Sequence, residues 1–311
     1  MSLLYALEGI RTPFLDTLFG AVTYLGDEMV YMAMAVVVFW CFSKGLGYYI
    51  LTSGFVGTVA NQFMKITFRI PRPWVLDPEF QIVESAREAA TGYSFPSGHT
   101  QNVFASFGSL AAWTRRAPLR ALSILAIVLV AFSRMYVGVH TPLDVGVAAA
   151  MGLVLTLALY PLFRDIDSRP QRMYGLLLGM IALCAAYLFY VELWPFPADV
   201  DAANLASARE NGYKLLGAAS GMLLSFWLDR RYVRFDVRAP LAGQLLKCVL
   251  GLAIVLGIKA GLKAPLASLL GASGAADAAR YFLIVLFAAG IWPMTFRFFA
   301  SLGARGDRST N

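Results

Sequence analysis

Charge is what this chain has least of. Charged residues make up 14% of its 311 residues, hydrophobic residues 59%, and mean hydropathy is +0.64. A soluble domain carries about 25% charged residues, so this chain cannot cover itself with a water-compatible surface. Disorder, a coiled coil and a soluble nucleic-acid binder are excluded, and no nucleic-acid partner is expected despite a net charge of +7. Cysteine is scarce too. Cys41, Cys184 and Cys248 are far apart in apolar runs and lack C-x-x-C spacing. That argues against a disulfide framework or a metal cluster and reads as three small buried hydrophobes. Residues 1–27 lack the basic start of a signal peptide. There is no internal repeat of the kind that marks many transporters. Histidine is rarest, with only His99 and His140.

What is present is a series of long apolar runs. A bilayer core needs about 20 mostly apolar residues per helix. Runs with almost no charge occur at 29–43, 45–64, 100–114, 121–133, 145–163, 173–191, 215–228, 241–258 (interrupted by Lys247) and 281–296. The fold expected is all-α, a polytopic transmembrane helical bundle of about nine spans. Leu3, Leu4, Leu7, Ile10, Phe14, Leu15 and Leu18 fall near helical spacing, so residues 1–27 read as an amphipathic segment in the membrane interface. Residues 265–279 are rich in small residues and read as a loop or interfacial segment.

Lys/Arg bias sets orientation. The short loops Arg115–Arg120 and Asp229–Arg234, with Arg305 and Arg308 near the C-terminal end, form the more basic face. That face is expected to be cytoplasmic, which puts the N-terminus outside and the C-terminus inside. The longest loop, 65–98, then lies outside with the turn at 134–144.

That outer face gathers the polar residues the chain does contain. The loop begins with Lys65, then Arg69, Arg72 and Pro73, and ends with Pro96-Ser97-Gly98-His99. The turn reads Ser133-Arg134, five residues, His140, three residues, Asp144. Ser97 is a good helix N-cap, and Gly98 lets a ligand approach the unpaired N–H groups of the first turn. Asp144 is four residues beyond His140, so the two share a helix face. A carboxylate on one ring nitrogen fixes the tautomer and frees the other nitrogen as nucleophile or base. Lys65, Arg72 and Arg134 supply fixed positive charge for phosphate oxygens. Two histidines, three cations and a helix N-terminus together specify phosphoryl transfer. No set of carboxylates or histidines suits a divalent metal, so no metal and no other cofactor is expected. Arg69 reads as a membrane anchor, and Trp74, Tyr93 and Phe95 as interfacial aromatics. The segment 77–93 reads either as a lid or as a solvated interfacial helix. Glu192, Asp199, Asp201, Arg209 and Glu210 lie on the same outer face and are candidates for substrate selection.

At these residues the chain resembles the type 2 phosphatidic acid phosphatase (PAP2) superfamily, whose signature is K-x6-RP, PSGH and SR-x5-H-x3-D. Every specified position matches, from Lys65 to Arg72-Pro73, through Pro96–His99, to Ser133-Arg134, His140 and Asp144. The likeness implies a catalytic helical core over 28–172, with additional transmembrane helices over 173–311. It implies that His140 is the nucleophile forming a phosphohistidine, that Asp144 orients it, and that His99 is the general acid. It also implies that Lys65, Arg72, Arg134, Ser97 and the Gly98 amide hold the phosphate. Nine spans with an outward N-terminus resembles the glucose-6-phosphatase branch.

The function expected is an integral membrane phosphatase of a bacterial inner membrane or a plasma membrane, acting on its extracytoplasmic face without a metal. The substrate expected is a phosphorylated lipid: an isoprenyl diphosphate, phosphatidate or phosphatidylglycerophosphate. A phosphotransferase on the same site and a sugar-phosphate phosphatase are the alternatives; a transporter or lipid-binding protein would need only the cations. The sequence does not fix the oligomeric state.

Overall fold

The computed structural model describes residues 1–166, 168–271 and 273–302, so Arg305 and Arg308 lie outside the described residues. Every regular element among them is helical. In order, α1 spans Ser2–Glu8, α2 Pro13–Thr23, α3 Glu28–Cys41, α4 Lys44–Phe68 and α5 Pro73–Leu76. After a long loop come α6 Gly98–Val103 and α7 Ser109–Trp113, joined by a π-helical turn at Phe104–Gly108. Then follow α8 Ala117–Tyr136, α9 Pro142–Arg164, α10 Pro170–Leu193 and α11 Ala202–Leu228. The chain ends with α12 Leu241–Gly261, α13 Lys263–Leu270, α14 Gly274–Leu286 and α15 Phe296–Ser301.

Five helical stretches are long and apolar enough to cross a membrane: Ala117–Tyr136, Pro142–Arg164, Pro170–Leu193, Leu241–Leu270 and Gly274–Ser301. The pair Pro13–Gly26 and Glu28–Cys41, bent by 50°, makes a sixth if it is one span. The chain is thus an integral membrane protein by its helices, and three of the nine expected runs fall outside these stretches for identifiable reasons. Run 45–64 lies in α4, whose Thr52, Ser53 and Asn61 are buried polar residues. Run 100–114 is broken by the π-helical turn. Run 215–228 is the second half of α11, whose first half carries Arg209, Glu210 and Lys214.

The chain divides into two compact units. The first contains Met1–Ala35, Tyr48–Arg164 and Phe196–Leu205. Its helix pair α6–α7 approaches α9 closely at Gly152, where a Cβ would lie 2.5 Å from Cβ of Phe104. A second cluster joins Leu4 of α1 to Phe80, Ile82, Val83, Ala86 and Ala90 of the long loop, and to Tyr136, Val137 and Val139 at the end of α8. The N-terminal helix therefore turns Leu4 and Leu7 into protein, while Leu3, Ile10, Phe14 and Leu18 stay exposed. Arg11 clamps the same region. It donates to the Tyr136 carbonyl from Nε (3.1 Å) and Nη2 (2.9 Å), and to the Gln81 carbonyl from Nη1 (2.6 Å).

The second unit contains Val36–Gly47, Asp165–Pro195 and the chain from Ala206 onward. Lys247, which interrupts an apolar run in the sequence, is fully buried here. Its Nζ donates to the carbonyls of Trp40 (2.9 Å) and Val237 (3.0 Å) and sits 4.4 Å from the Phe296 ring centroid. A buried cation is tolerated because backbone acceptors and an aromatic face replace its water. Cys41 and Cys248, distant in sequence, bring their sulfurs within 3.2 Å, and both are half-buried rather than buried. Residues 265–279, expected to be a loop or interfacial segment, are not a loop: they belong mostly to α13 and α14, broken at Gly271 with φ +75°. Alanine and leucine favour helix strongly enough to override the small-residue signal.

Candidate functional site

The site is built on the turn between α8 and α9. Gly138 at φ +83° lets the chain reverse after α8, in a conformation that a Cβ disfavours. The Arg134 carbonyl then accepts the N–H group of Val139 (3.2 Å), the six-residue closure typical of a helix end, and also that of His140 (3.3 Å). This bond fixes the spacing between the arginine and the histidine. Beyond it, Thr141 and Asp144 cap each other at the start of α9. The Thr141 N–H donates to Asp144 Oδ2 (2.7 Å), and the Asp144 N–H donates to Thr141 Oγ1 (3.3 Å). Asp144 is therefore held rigidly, and both it and His140 are almost fully buried.

The His140 ring has two distinct edges. Nε2 lies 3.0 Å from Arg72 Nη1, and Nδ1 lies 3.5 Å from Asp144 Oδ2. A guanidinium has only donors, so Nε2 must be the acceptor and Nδ1 carries the proton. Burial, then the positive charges of Arg72, Arg134, Lys65 and His99, hold this imidazole well below the ordinary histidine range. The ring is neutral at pH 7, with its lone pair directed at a guanidinium.

Arg72 sits just before Pro73, which opens α5. Its other bonds clamp the loop: Nε donates to the Gly92 carbonyl (3.0 Å), Nη2 to Thr91 (2.6 Å) and Nη1 to Val139 (3.0 Å). Lys65, in the last turn of α4, donates to the Tyr93 carbonyl. Arg134 donates from Nη1 to Thr23 Oγ1, while its buried Nε has no partner among the described residues. On the opposite side, Ser97 caps α6 by accepting the N–H (3.3 Å) and hydroxyl (3.0 Å) of Thr100. Its own N–H donates to the Asp144 carbonyl (3.1 Å), tying the two histidine-bearing segments together. A Cβ at Gly98 would meet nothing within 4 Å, so that face of the helix start is open. Burial, then the charges of Arg134, Arg72 and Lys65, hold His99 too well below the ordinary histidine range.

All eight residues singled out from the sequence thus lie in the first unit, where the contacts above link them around His140. Of the outer-face candidates, Asp199 comes to 3.9 Å from Arg69. Glu192 and Arg209 instead pair with each other in the second unit at 3.3 Å. Among the described residues no group of three or more histidines, cysteines or carboxylates is arranged to hold a metal ion. Sequence reasoning missed Ser94, which is fully buried and donates from Oγ to Asp144 Oδ2 at 2.5 Å. It also missed Arg11 and Thr23. These are single residues meeting the site across tens of positions, with no local spacing to announce them. The only signal for Ser94 was its place just before the Pro96–His99 segment.

Residues 42–167 match the family model described as the PAP2 superfamily. Residues 213–305 match the model described as PAP2 superfamily phosphatase, transmembrane extension. The chain is 27% identical over 243 residues to a protein of Dictyostelium discoideum named "Probable sphingosine-1-phosphate phosphatase", covering 73% of this chain and 57% of that one. It is 28% identical over 214 residues to a dihydrosphingosine 1-phosphate phosphatase of Schizosaccharomyces pombe, covering 63% and 50%. An undecaprenyl-diphosphatase of Sulfolobus acidocaldarius is 31% identical over 134 residues, covering 42% and 63%. The chain spans little more than half the length of the two sphingoid-phosphatase relatives.

Proposed function

We propose that this chain, with a PAP2 superfamily region at residues 42–167 and that superfamily's transmembrane extension at 213–305, is an integral membrane phosphatase of a lipid phosphate. The observation that carries it is the buried His140 ring, with Arg72 at 3.0 Å from Nε2 and Asp144 at 3.5 Å from Nδ1. An incoming phosphate draws the Arg72 guanidinium onto its oxygens, which frees the Nε2 lone pair. Bound phosphate offsets the cations around His99, so that its ring takes up a proton; Nε2 of His140 attacks phosphorus, His99 gives that proton to the ester oxygen that leaves, and a phosphohistidine remains. Water then attacks phosphorus with His99 as base, releasing phosphate. Lys65, Arg72, Arg134, Ser97 and the Gly98 amide hold the equatorial oxygens, where preorganised donors act most strongly. Asp144 balances the positive ring of the intermediate. No step calls for a metal.

A lipid substrate is supported by the apolar residues that flank the site in sequence. Phe68, Val75, Leu76 and Leu143 are all exposed beside Arg72 and Asp144. Among lipids, a single-chain phosphomonoester of the sphingoid-base type is favoured. The relatives named for that substrate align with 63–73% of this chain, and the diphosphatase relative with 42%. Under the nine-span reading of the sequence, the Lys/Arg bias of the loops supports a site on the extracytoplasmic face, with the N-terminus on the same side.

The test is a panel in detergent with EDTA present: a sphingoid-base 1-phosphate, an isoprenyl diphosphate, phosphatidate, phosphatidylglycerophosphate and a hexose phosphate. Wild type is expected to release phosphate from the first fastest, with inhibition by orthovanadate and none of the activity left in His140→Ala. Strict metal dependence, or full activity in His140→Ala, would overturn the mechanism. Preference for the hexose phosphate would overturn the lipid assignment. Supplying labelled donor with an alcohol acceptor separates hydrolysis from phosphotransfer.

A further inference from the structure

Asp144 does not reach His140 with a good hydrogen bond. The Nδ1–Oδ2 separation is 3.5 Å, at the limit where such contacts stop counting. Ser94 lies beside both and, unlike the carboxylate, offers the Nδ1 edge a hydroxyl oxygen. Its Oγ is 2.5 Å from Asp144 Oδ2 and 3.4 Å from His140 Nδ1. A serine hydroxyl has one proton and two acceptor lone pairs. At 2.5 Å from a carboxylate that proton belongs to the Asp144 bond, which is charge-assisted and the stronger of the two. The lone pairs of Oγ are then what the Nδ1–H group meets. The hydroxyl is itself fixed, because the Ser94 N–H donates to the Ile70 carbonyl at 2.8 Å and the side chain is fully buried.

We propose that Ser94 is a positioning residue that links His140 to Asp144, in the order Nδ1–H to Oγ, then Oγ–H to Oδ2. The link holds the proton on Nδ1 and so keeps Nε2 bare. As Nε2 bonds to phosphorus the ring becomes cationic, the Nδ1 proton stays in place, and the polarised hydroxyl carries the stabilisation from the carboxylate to the ring. This role rests on the phosphatase function proposed above, but its structural half does not need a substrate.

Two measurements test it. The first uses the chain's own economy: with two histidines, [15N]histidine labelling gives two imidazole spin systems, and His99→Gln assigns them. His140 in wild type is expected as the Nδ1–H tautomer, and Ser94→Ala is expected to shift its two nitrogen signals toward a tautomer mixture. The second is turnover. Ser94→Ala is expected to lower kcat by about 10- to 100-fold, the range for losing the group that orients a functional histidine. KM should stay within about twofold, because the Ser94 hydroxyl is engaged with Asp144 and His140 and is not among the groups proposed to hold the phosphate. Ser94→Cys, nearly isosteric with a weaker donor, should fall between the two. An Nε2–H tautomer in wild type would overturn the link without any variant being made. Unchanged His140 signals and full kcat in Ser94→Ala would overturn it equally. A wild type inactive on every phosphate ester would instead overturn the phosphatase function and leave the tautomer result to decide the link.

Discussion

Arg72 and His140 face each other at 3.0 Å, so in the proposed mechanism the resting site keeps the attacking nitrogen capped by the group that receives the substrate. The arginine cannot be replaced by a simple charge. Its Nε, Nη1 and Nη2 also hold the carbonyls of Gly92, Val139 and Thr91, bonds a single ammonium cannot reproduce. Arg72→Lys should therefore lower kcat/KM by about 100-fold or more, the usual loss when a preorganised oxyanion donor is removed. Phosphate release and the vanadate inhibition constant should worsen together. A variant with normal turnover would show that Arg72 serves only the loop.

The charge state of His140 gives a second expectation. Burial and the surrounding cations lower its pKa from the ordinary value of 6.5. A lowered pKa on a base leaves it neutral at every pH above that value, so the neutral ring that the proposed mechanism needs is present throughout the neutral range. It is lost only as the pH falls through the lowered value. The His140 signals should show less than half protonation at pH 6.5, and binding of orthovanadate should raise the pKa by bringing negative charge. Half protonation at or above pH 6.5 in the free protein would contradict this environment.

Much of the site was legible because its residues come in short, rigid spacings. The distance from Arg134 to His140 is one helix end closed by the Arg134 carbonyl, and His140 to Asp144 is one helical turn opened by Thr141 and Pro142. What was not legible is whatever meets the site from far along the chain. Arg11 reaches Tyr136 over 125 residues and Ser94 reaches Asp144 over 50, and neither pairing leaves a periodic mark. The span count failed to read cleanly for a related reason. A run such as 45–64 is short of charge, but α4 hides Thr52, Ser53 and Asn61 inside the protein, so its composition records burial more than contact with lipid.

The Arg11 clamp can be tested as a device that holds the catalytic turn. Its bonds to Tyr136 and Gln81 tie the N-terminal segment to both the turn and the loop. Arg11→Gln should cost about 1–3 kcal/mol locally, the scale of a lost charged hydrogen bond. Amides of 78–92 and 137–140 should exchange faster with solvent, and kcat should drop, while the exchange of α12 is unchanged. Equal protection in the variant would mean the loop holds itself.

Gly26 sets the position of His99. A Cβ there would lie 2.7 Å from the His99 carbonyl oxygen and 2.9 Å from Val130 Cγ1. Neither atom has much room, because Val130 is fully buried and the carbonyl is backbone. Gly26→Ala should push the first turn of α6 away from His140. The rate on an alkyl phosphate should fall, and stability should drop by about 1–3 kcal/mol as expected for overpacking. Wild-type rates and stability would show that the region relaxes freely.

The role assigned to His99 makes the sharpest kinetic demand. A general acid matters in proportion to how badly the leaving oxygen needs a proton. An alkoxide leaving from a lipid alcohol needs one, and a nitrophenolate does not. His99→Asn should therefore slow hydrolysis of the lipid phosphate by about 10²- to 10⁴-fold, the usual contribution of a positioned acid. The same variant should lose far less on p-nitrophenyl phosphate in its first chemical step, seen as a retained burst of nitrophenol. The second step needs His99 as base for water, so phosphohistidine should then accumulate and be trapped by acid quench. His140→Asn should lose both substrates equally and trap nothing. If His99→Asn slows the two substrates alike and no phosphohistidine builds up, His99 is holding phosphate and not moving a proton.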